Sequence, residues 1–281
     1  MISRTPISNL LTIAGTDPTG GAGIQADLKT FSALGAYGMS VITAVVAQNT
    51  RGVSAVTPMT PDCVAAQIDA VFDDVRVDAV KIGMLHEEGI IKSVASRLRH
   101  YRPDIIVLDP VMMAKSGDPL LDPNAISALK TYLLPLATLV TPNLPEAAAL
   151  LGASVAQFDD EVRAQLHDFS KLGARATLLK GGHSHNVTES TDWLHDMSRA
   201  EDEPIAFTSP RIDTHCDHGT GCTLSAAIAA LLPQHDLISS IRRAKTYLDG
   251  ALAAAQALSV GQGHGPLHHF HAMWPTHPAA R

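Results

Sequence analysis

The stretch Leu10-Leu11-Thr12-Ile13-Ala14-Gly15-Thr16-Asp17-Pro18-Thr19-Gly20-Gly21-Ala22-Gly23-Ile24 joins an apolar run to a glycine-rich turn, and the turn opens a helical pattern reaching Leu34. A short strand followed directly by a helix is the first half of a βαβ unit. Working outward, apolar runs at Ser40 to Gln48, Ala79 to Ile82, Ile105 to Leu108, Thr138 to Val140 and Thr177 to Leu179 read as further strands. Between and after them, Val64 to Phe72, Ile90 to Leu98, Thr223 to Leu232 and Ile238 to Leu258 read as helices. This alternation predicts an α/β fold with a mostly parallel sheet covered on both faces. Thr60-Pro61 and Asp122-Pro123 each place a capping side chain before a proline suited to the first helical position, while Gly35 and Gly173 follow Leu34 and Leu172 as helix stops. The more polar segment His183 to Pro210 holds two candidate strands, Asp192 to His195 and Ile205 to Thr208, expected as an edge hairpin or flap. No linker-like tract or internal repeat divides the sequence, so one domain over residues 1–281 is expected.

Composition narrows the function classes. The 281 residues are 46% hydrophobic and 17% charged with a net charge of −7, which gives no general attraction to nucleic acid or to an anionic membrane. No apolar run approaches the roughly 18 residues of a membrane span. The three cysteines, Cys63, Cys216 and Cys222, cannot all pair, which suits a reducing compartment and points to the cytoplasm.

In open α/β sheets the ligand crevice lies beyond the carboxyl ends of the strands, so the loops leaving strands carry the chemistry. Gly219-Thr220-Gly221-Cys222 opens a helix, where unpaired backbone N–H groups and the helix dipole favour a phosphate and lower a thiol pKa; a plain turn beside an inert cysteine is the alternative. The Gly15 to Gly23 loop has P-loop glycine spacing but Gly21-Ala22 in place of Lys-Ser/Thr, and it lacks the dinucleotide pattern. It reads as a grip for a small polar ligand through Asp17, with Asp27 inside the following helix, or as a packing turn. Asp109 ends a strand and can reach a metal-bound phosphate. Asn143 and Glu146, three apart across a helix start, can share Mg2+ or simply cap the helix. Lys180 leaves a strand into Gly181-Gly182 and can extend over a phosphate. Met84, Met112 and Met113 stand on crevice loops, as core filler or as the wall of a planar-ligand site. Together these parts meet the needs of phosphoryl transfer.

Gly15-Thr16-Asp17-Pro18 through Gln25-Ala26-Asp27, Val45 to Thr50, Lys81-Ile82-Gly83-Met84-Leu85, Ala114 to Asp118, Thr141 to Glu146, Lys180-Gly181-Gly182 and His218 to Cys222, in that order, resemble the hydroxymethylpyrimidine/phosphomethylpyrimidine kinases of thiamine biosynthesis. The resemblance implies a ribokinase-like three-layer α/β/α fold. It also implies two successive ATP-dependent phosphorylations of 4-amino-5-hydroxymethyl-2-methylpyrimidine, with Mg2+ as cofactor and a homodimer as the assembly. By matching position, Gly15, Asp27, Gln48, Met84 and Val111 line the pyrimidine pocket. Gln48 also has a physical claim, because its amide can pair with a ring nitrogen and the adjacent amino group. Lys180, Asn143 and the Gly219, Thr220, Gly221 turn would serve the nucleotide, Asp109 and Glu146 the Mg2+, and Cys222 would stand where related enzymes carry an aspartate base.

One departure is Cys216-Asp217 before His218, where the family usually shows Asn-Thr. The glycines at 219 and 221 favour phosphate over a transition metal held by His215, Cys216, Asp217, His218 and Cys222. The histidines 264, 268, 269 and 271 read as a polar tail. A pyridoxal or pyridoxine kinase and a non-catalytic ligand or metal sensor on the same fold are the alternative functions.

Overall fold

The computed structural model describes residues 6–114, 116–122, 124–183, 188–199 and 203–274; Lys115 of the Ala114 to Asp118 motif and Pro123 lie outside the described residues. In chain order the elements are β1 (Asn9–Ala14), α1 (Gly23–Ala33), β2 (Tyr37–Ile42), β3 (Ala44–Asn49), β4 (Gly52–Pro58), α2 (Pro61–Phe72), β5 (Ala79–Ile82), α3 (Glu88–Tyr101) and β6 (Ile106–Leu108). There follow α4 (Ala125–Ala128), β7 (Leu139–Val140), α5 (Leu144–Leu151), α6 (Asp159–Ser170), β8 (Ala176–Leu179), β9 (Glu189–Asp196), β10 (Ile205–Pro210), α7 (Thr220–Leu231) and α8 (Leu237–Ala253).

Eight strands form one sheet in the order β10-β9-β8-β7-β6-β5-β1-β2. From β2 to β8 every pairing is parallel, and β9 and β10 are added antiparallel at one edge. The two-residue period of a strand sends alternate side chains to opposite faces, and here both faces are apolar. Leu11, Val80, Leu108 and Val140 pack with α2, α3, α5 and α6. Leu10, Ala79, Val107, Leu139 and Leu178 pack with α1, α7 and α8 on the other face. Thr60 caps α2 by accepting from Cys63 N–H, with Pro61 at its start, and Gly35 and Gly173 both take positive φ, so these three signals act as read, whereas α4 starts at Ala125, past Asp122-Pro123. Among the described residues no helix is long and apolar enough to cross a membrane.

One expectation is corrected. The run Ser40 to Gln48 is not one strand: it breaks at Thr43, whose N–H donates to Ala14 O and whose hydroxyl donates to Met84 O. Its second half becomes β3, which pairs with β4 in a separate two-stranded hairpin. The 183–210 segment supplies β9 and β10, an antiparallel pair at the edge of the main sheet and so the expected edge hairpin; the detached flap is β3–β4.

Candidate active site

Strand parity builds the site. Thr12, Lys81, Asp109, Thr141 and Lys180 each stand two positions beyond one of the core residues Leu10, Ala79, Val107, Leu139 and Leu178. They therefore emerge at the carboxyl end of the sheet on the face that carries α7. Lys180 Nζ donates to Asp109 Oδ1 at 2.7 Å and lies 4.0 Å from Glu146 Oε2. Thr141 Oγ1 donates to the same Asp109 oxygen, and Ser225 Oγ of α7 donates to the other, each at 3.3 Å. Burial pushes the Asp109 carboxyl up, but Lys180, Lys81 and the Thr141 hydroxyl together hold it below its ordinary value.

The anion turn faces this cluster. Gly219 has φ +87°, and a Cβ there would stand 1.8 Å from Gly21 O, so the two glycine loops touch backbone to backbone and only glycine fits. A Cβ on Gly221 would be 3.2 Å from Lys180 Nζ and 3.6 Å from Asp109 Oδ2. Thr220 and Cys222 complete the first turn of α7, whose N–H groups have no preceding turn of helix to bond.

Asn143 and Glu146 form a reciprocal capping box on α5: Asn143 N–H donates to Glu146 Oε2 and Glu146 N–H to Asn143 Oδ1, both at 2.8 Å. The capping role is therefore real. It does not exhaust Glu146, which is buried beside Lys180. Burial pushes its carboxyl up to about 7; Lys180 opposes the rise and Asp109 adds to it. Two hard-oxygen carboxylates with one lysine between them fit Mg2+, which usually takes one or two protein carboxylates and completes its shell with phosphate and water. Among the described residues no three His, Cys, Asp or Glu side chains converge as a metal site.

Cys222 requires a correction. The helix terminus was expected to favour thiolate, but burial pushes the thiol up to about 11; Lys81 opposes this and Asp27 and Asp109 add to it. Desolvation, together with two carboxylates nearby, outweighs the dipole. Asp27 is fully buried: its Oδ2 accepts from Lys81 Nζ at 2.9 Å and from Thr12 Oγ1 at 2.6 Å, while its Oδ1 has no partner. Burial opposes the Lys81 charge, but Asp27 more than restores it and raises the ammonium pKa.

Three other pocket residues do gather. A Cβ on Gly15 would meet Met84 Cε at 2.7 Å, and Val111 packs on the cluster of Ala44, Val46, Met84 and Leu120 that joins the β3–β4 flap to the sheet. Gln48 stands at a β-bulge in β3, near enough to Asp17 to help hold its carboxyl down. Asp17 accepts from Gly21 and Ala22 N–H and pairs with His218 Nε2 at 2.8 Å. Against burial, the His218 and Thr19 hydrogen bonds, with Gln48 nearby, hold its carboxyl well below the usual range.

Asp217 Oδ1 meets His264 Nδ1 at 2.9 Å, so the unusual Cys216-Asp217 approach is tied to the C-terminal segment. Lys81, Thr12, Thr141 and Ser225 had no assigned role in the sequence reading. Strand parity was the signal that places the first three. The histidine "tail" is likewise not a tail throughout, since His269 is buried against Thr223.

The sequence profile described as phosphomethylpyrimidine kinase matches residues 17–268. The chain is 58% identical over 267 residues to the hydroxymethylpyrimidine/phosphomethylpyrimidine kinase of Escherichia coli (strain K12), covering 95% of this chain and 98% of that relative. The crystal structure of phosphomethylpyrimidine kinase from Clostridium difficile 630 superposes with a TM-score of 0.75 at 41% identity, over 87% of this chain and 99% of that one. The pyridoxal kinase from Staphylococcus aureus in complex with AMP-PCP and pyridoxal superposes with a TM-score of 0.86 at 32% identity, over 96% of each chain. The profile match and the near full-length identity agree with the order of loops around the crevice, and the chain belongs to the phosphomethylpyrimidine kinase family.

Proposed function

We propose that this chain transfers the γ-phosphoryl group of ATP to the hydroxymethyl oxygen of 4-amino-5-hydroxymethyl-2-methylpyrimidine, and a second one to the phosphate so formed, in thiamine biosynthesis. The observation that carries this reading is the approach of Lys180 Nζ to the Gly221 position at the head of α7. A cation and a row of backbone N–H groups there would cradle a transferring phosphoryl group.

In this reading Lys180 and the Gly219, Thr220, Gly221 turn hold phosphate oxygens, and Asn143 lies on the nucleotide side. Asp109 and Glu146 hold Mg2+, which when bound neutralises charge on the phosphates. Gly15, Met84 and Val111 form the flat apolar wall and Gln48 reads the ring edge, while Asp27 acts through Lys81. In the first transfer the hydroxyl oxygen bonds to the γ-phosphorus as the bond to ADP breaks, and the hydroxyl proton passes to Cys222 in the minor thiolate fraction that its raised pKa leaves. In the second the nucleophile is an ionised phosphate oxygen, which needs no base. A single cytoplasmic kinase domain acting as a homodimer completes the proposal.

The test is kcat/KM of the purified protein with Mg-ATP for the hydroxymethylpyrimidine, its monophosphate and pyridoxal. Preference for the two pyrimidines is expected. Preference for pyridoxal, or turnover of none, would overturn the reading.

A further inference from the structure

The segment 265–269 runs along the back of the anion turn and touches both ends of it. At one end His218 N–H donates to Gly265 O at 3.1 Å, and His218 bridges Pro266 in parallel β fashion. At the other end His269 Nε2 lies 3.0 Å from Thr223 Oγ1, both buried, one residue beyond Cys222. The segment is itself fastened to α8: Tyr247 Oη donates to His269 O at 2.7 Å, and His268 N–H donates to Ala251 O at 3.1 Å.

Burial, with the Lys29 charge and the neighbouring histidine His268 nearby, brings the His269 imidazole down to about 4, so the ring is neutral and one of its two nitrogens is an acceptor. That role is assigned to Nε2, the nitrogen that meets Thr223, whose hydroxyl then donates to it. Without that acceptor, a threonine in the first turns of a helix tends to bond the carbonyl four residues back, here Gly219 O, and to bend the helix.

We infer that His269 is a positioning residue for phosphoryl transfer: by accepting the Thr223 hydroxyl proton it keeps that hydroxyl off the Gly219 carbonyl and fixes the direction in which the N–H groups of the anion turn point. This rests on the kinase reading above. Its consequence falls on the chemical step, because a misaligned donor set binds the ground-state phosphate about as well but meets the transition state poorly.

The experiment measures kcat and both KM values for wild type, His269→Leu, His269→Gln, Thr223→Val, Thr223→Ser and the Leu/Val double variant, each checked for folding by thermal melting. His269→Leu and Thr223→Val are expected to lower kcat by about ten- to a hundredfold with the pyrimidine KM within about twofold. His269→Gln, whose amide can again accept near the Nε2 position, and Thr223→Ser are expected to recover most of the loss. The double variant should be no slower than the slower single. Wild-type kcat in folded Thr223→Val, or multiplying losses in the double, would overturn the inference while leaving the kinase reading intact. Should His269→Leu not fold, Thr223→Val, which removes only the hydroxyl, gives the same decision. Absence of turnover in the wild type would overturn the kinase reading and this inference with it.

Discussion

Lys180 Nζ sits 2.7 Å from Asp109 Oδ1, although the two residues leave different strands and stand 71 positions apart. β7 lies between their strands, so the contact crosses the crevice mouth and draws a phosphate-type lysine onto a metal-type carboxylate.

Lys180→Met should therefore do more than remove a phosphate contact. It leaves Asp109 and Glu146 facing each other with their nearest cation gone. A loss of about a hundredfold or more in kcat is expected, measured on protein whose melting curve shows it folded. A loss below about threefold would remove Lys180 from the phosphate site.

Glu146 gives a pH signature. Its carboxyl is raised from 4.5 to about 7, so kcat/KM should climb as pH rises through about 7 and the side chain ionises. The stability effect has the opposite sense. A carboxyl that holds its proton more tightly when folded favours folding at low pH, and that contribution is lost as pH rises through its folded value. Glu146→Gln removes the penalty, so it should melt above wild type at pH 8, with the gap narrowing towards pH 5. A gap that widens on acidification would contradict the burial argument.

Cys222 should act unequally on the two transfers. Its thiol is pushed up to about 11, so the thiolate fraction, and with it the first transfer, should increase with pH between 7 and 9. Cys222→Ala should slow the first transfer more than the second and flatten that pH dependence, because only the first requires a base while both keep the backbone donors. Single-turnover rates for each step decide it, and equal losses would exclude the base role. Iodoacetamide mass mapping should show exposed Cys63 labelled well before Cys222 at neutral pH.

The Asp27–Lys81 pair should be a stability element first. Both side chains are fully buried, so Asp27→Leu strands an ammonium in the interior, at a cost of roughly 3–5 kcal/mol. Urea unfolding of Asp27→Leu and of Asp27→Leu/Lys81→Met should show the double variant as the more stable. A single variant with wild-type stability would mean that Lys81 is not held as a buried cation.

Much of the scaffold is written locally. Strand β5 coincides with the run Ala79 to Ile82, and the caps at Thr60 and the stops at Gly35 and Gly173 are residue-level signals. The break at Thr43 escaped because β-branched residues continue across it, and what ends β2 is a pair of bonds to Ala14 and Met84, far away in sequence. The loops that form the crevice were legible from glycine, proline and charge. The pairings were not: Asp17 with His218 spans 201 residues and Asp27 with Lys81 spans 54, and no periodicity encodes such distances. Cys222 was misread for the same reason, since the burial that governs its thiol is supplied by chain segments remote from it.

The central claim, two successive transfers at one site, is tested most directly by time-resolved mass spectrometry of the protein with Mg-ATP and 4-amino-5-hydroxymethyl-2-methylpyrimidine. The monophosphate should rise first and then fall as the diphosphate accumulates. A reaction that ends at the monophosphate with ATP still present, or that yields no phosphorylated pyrimidine, would contradict it.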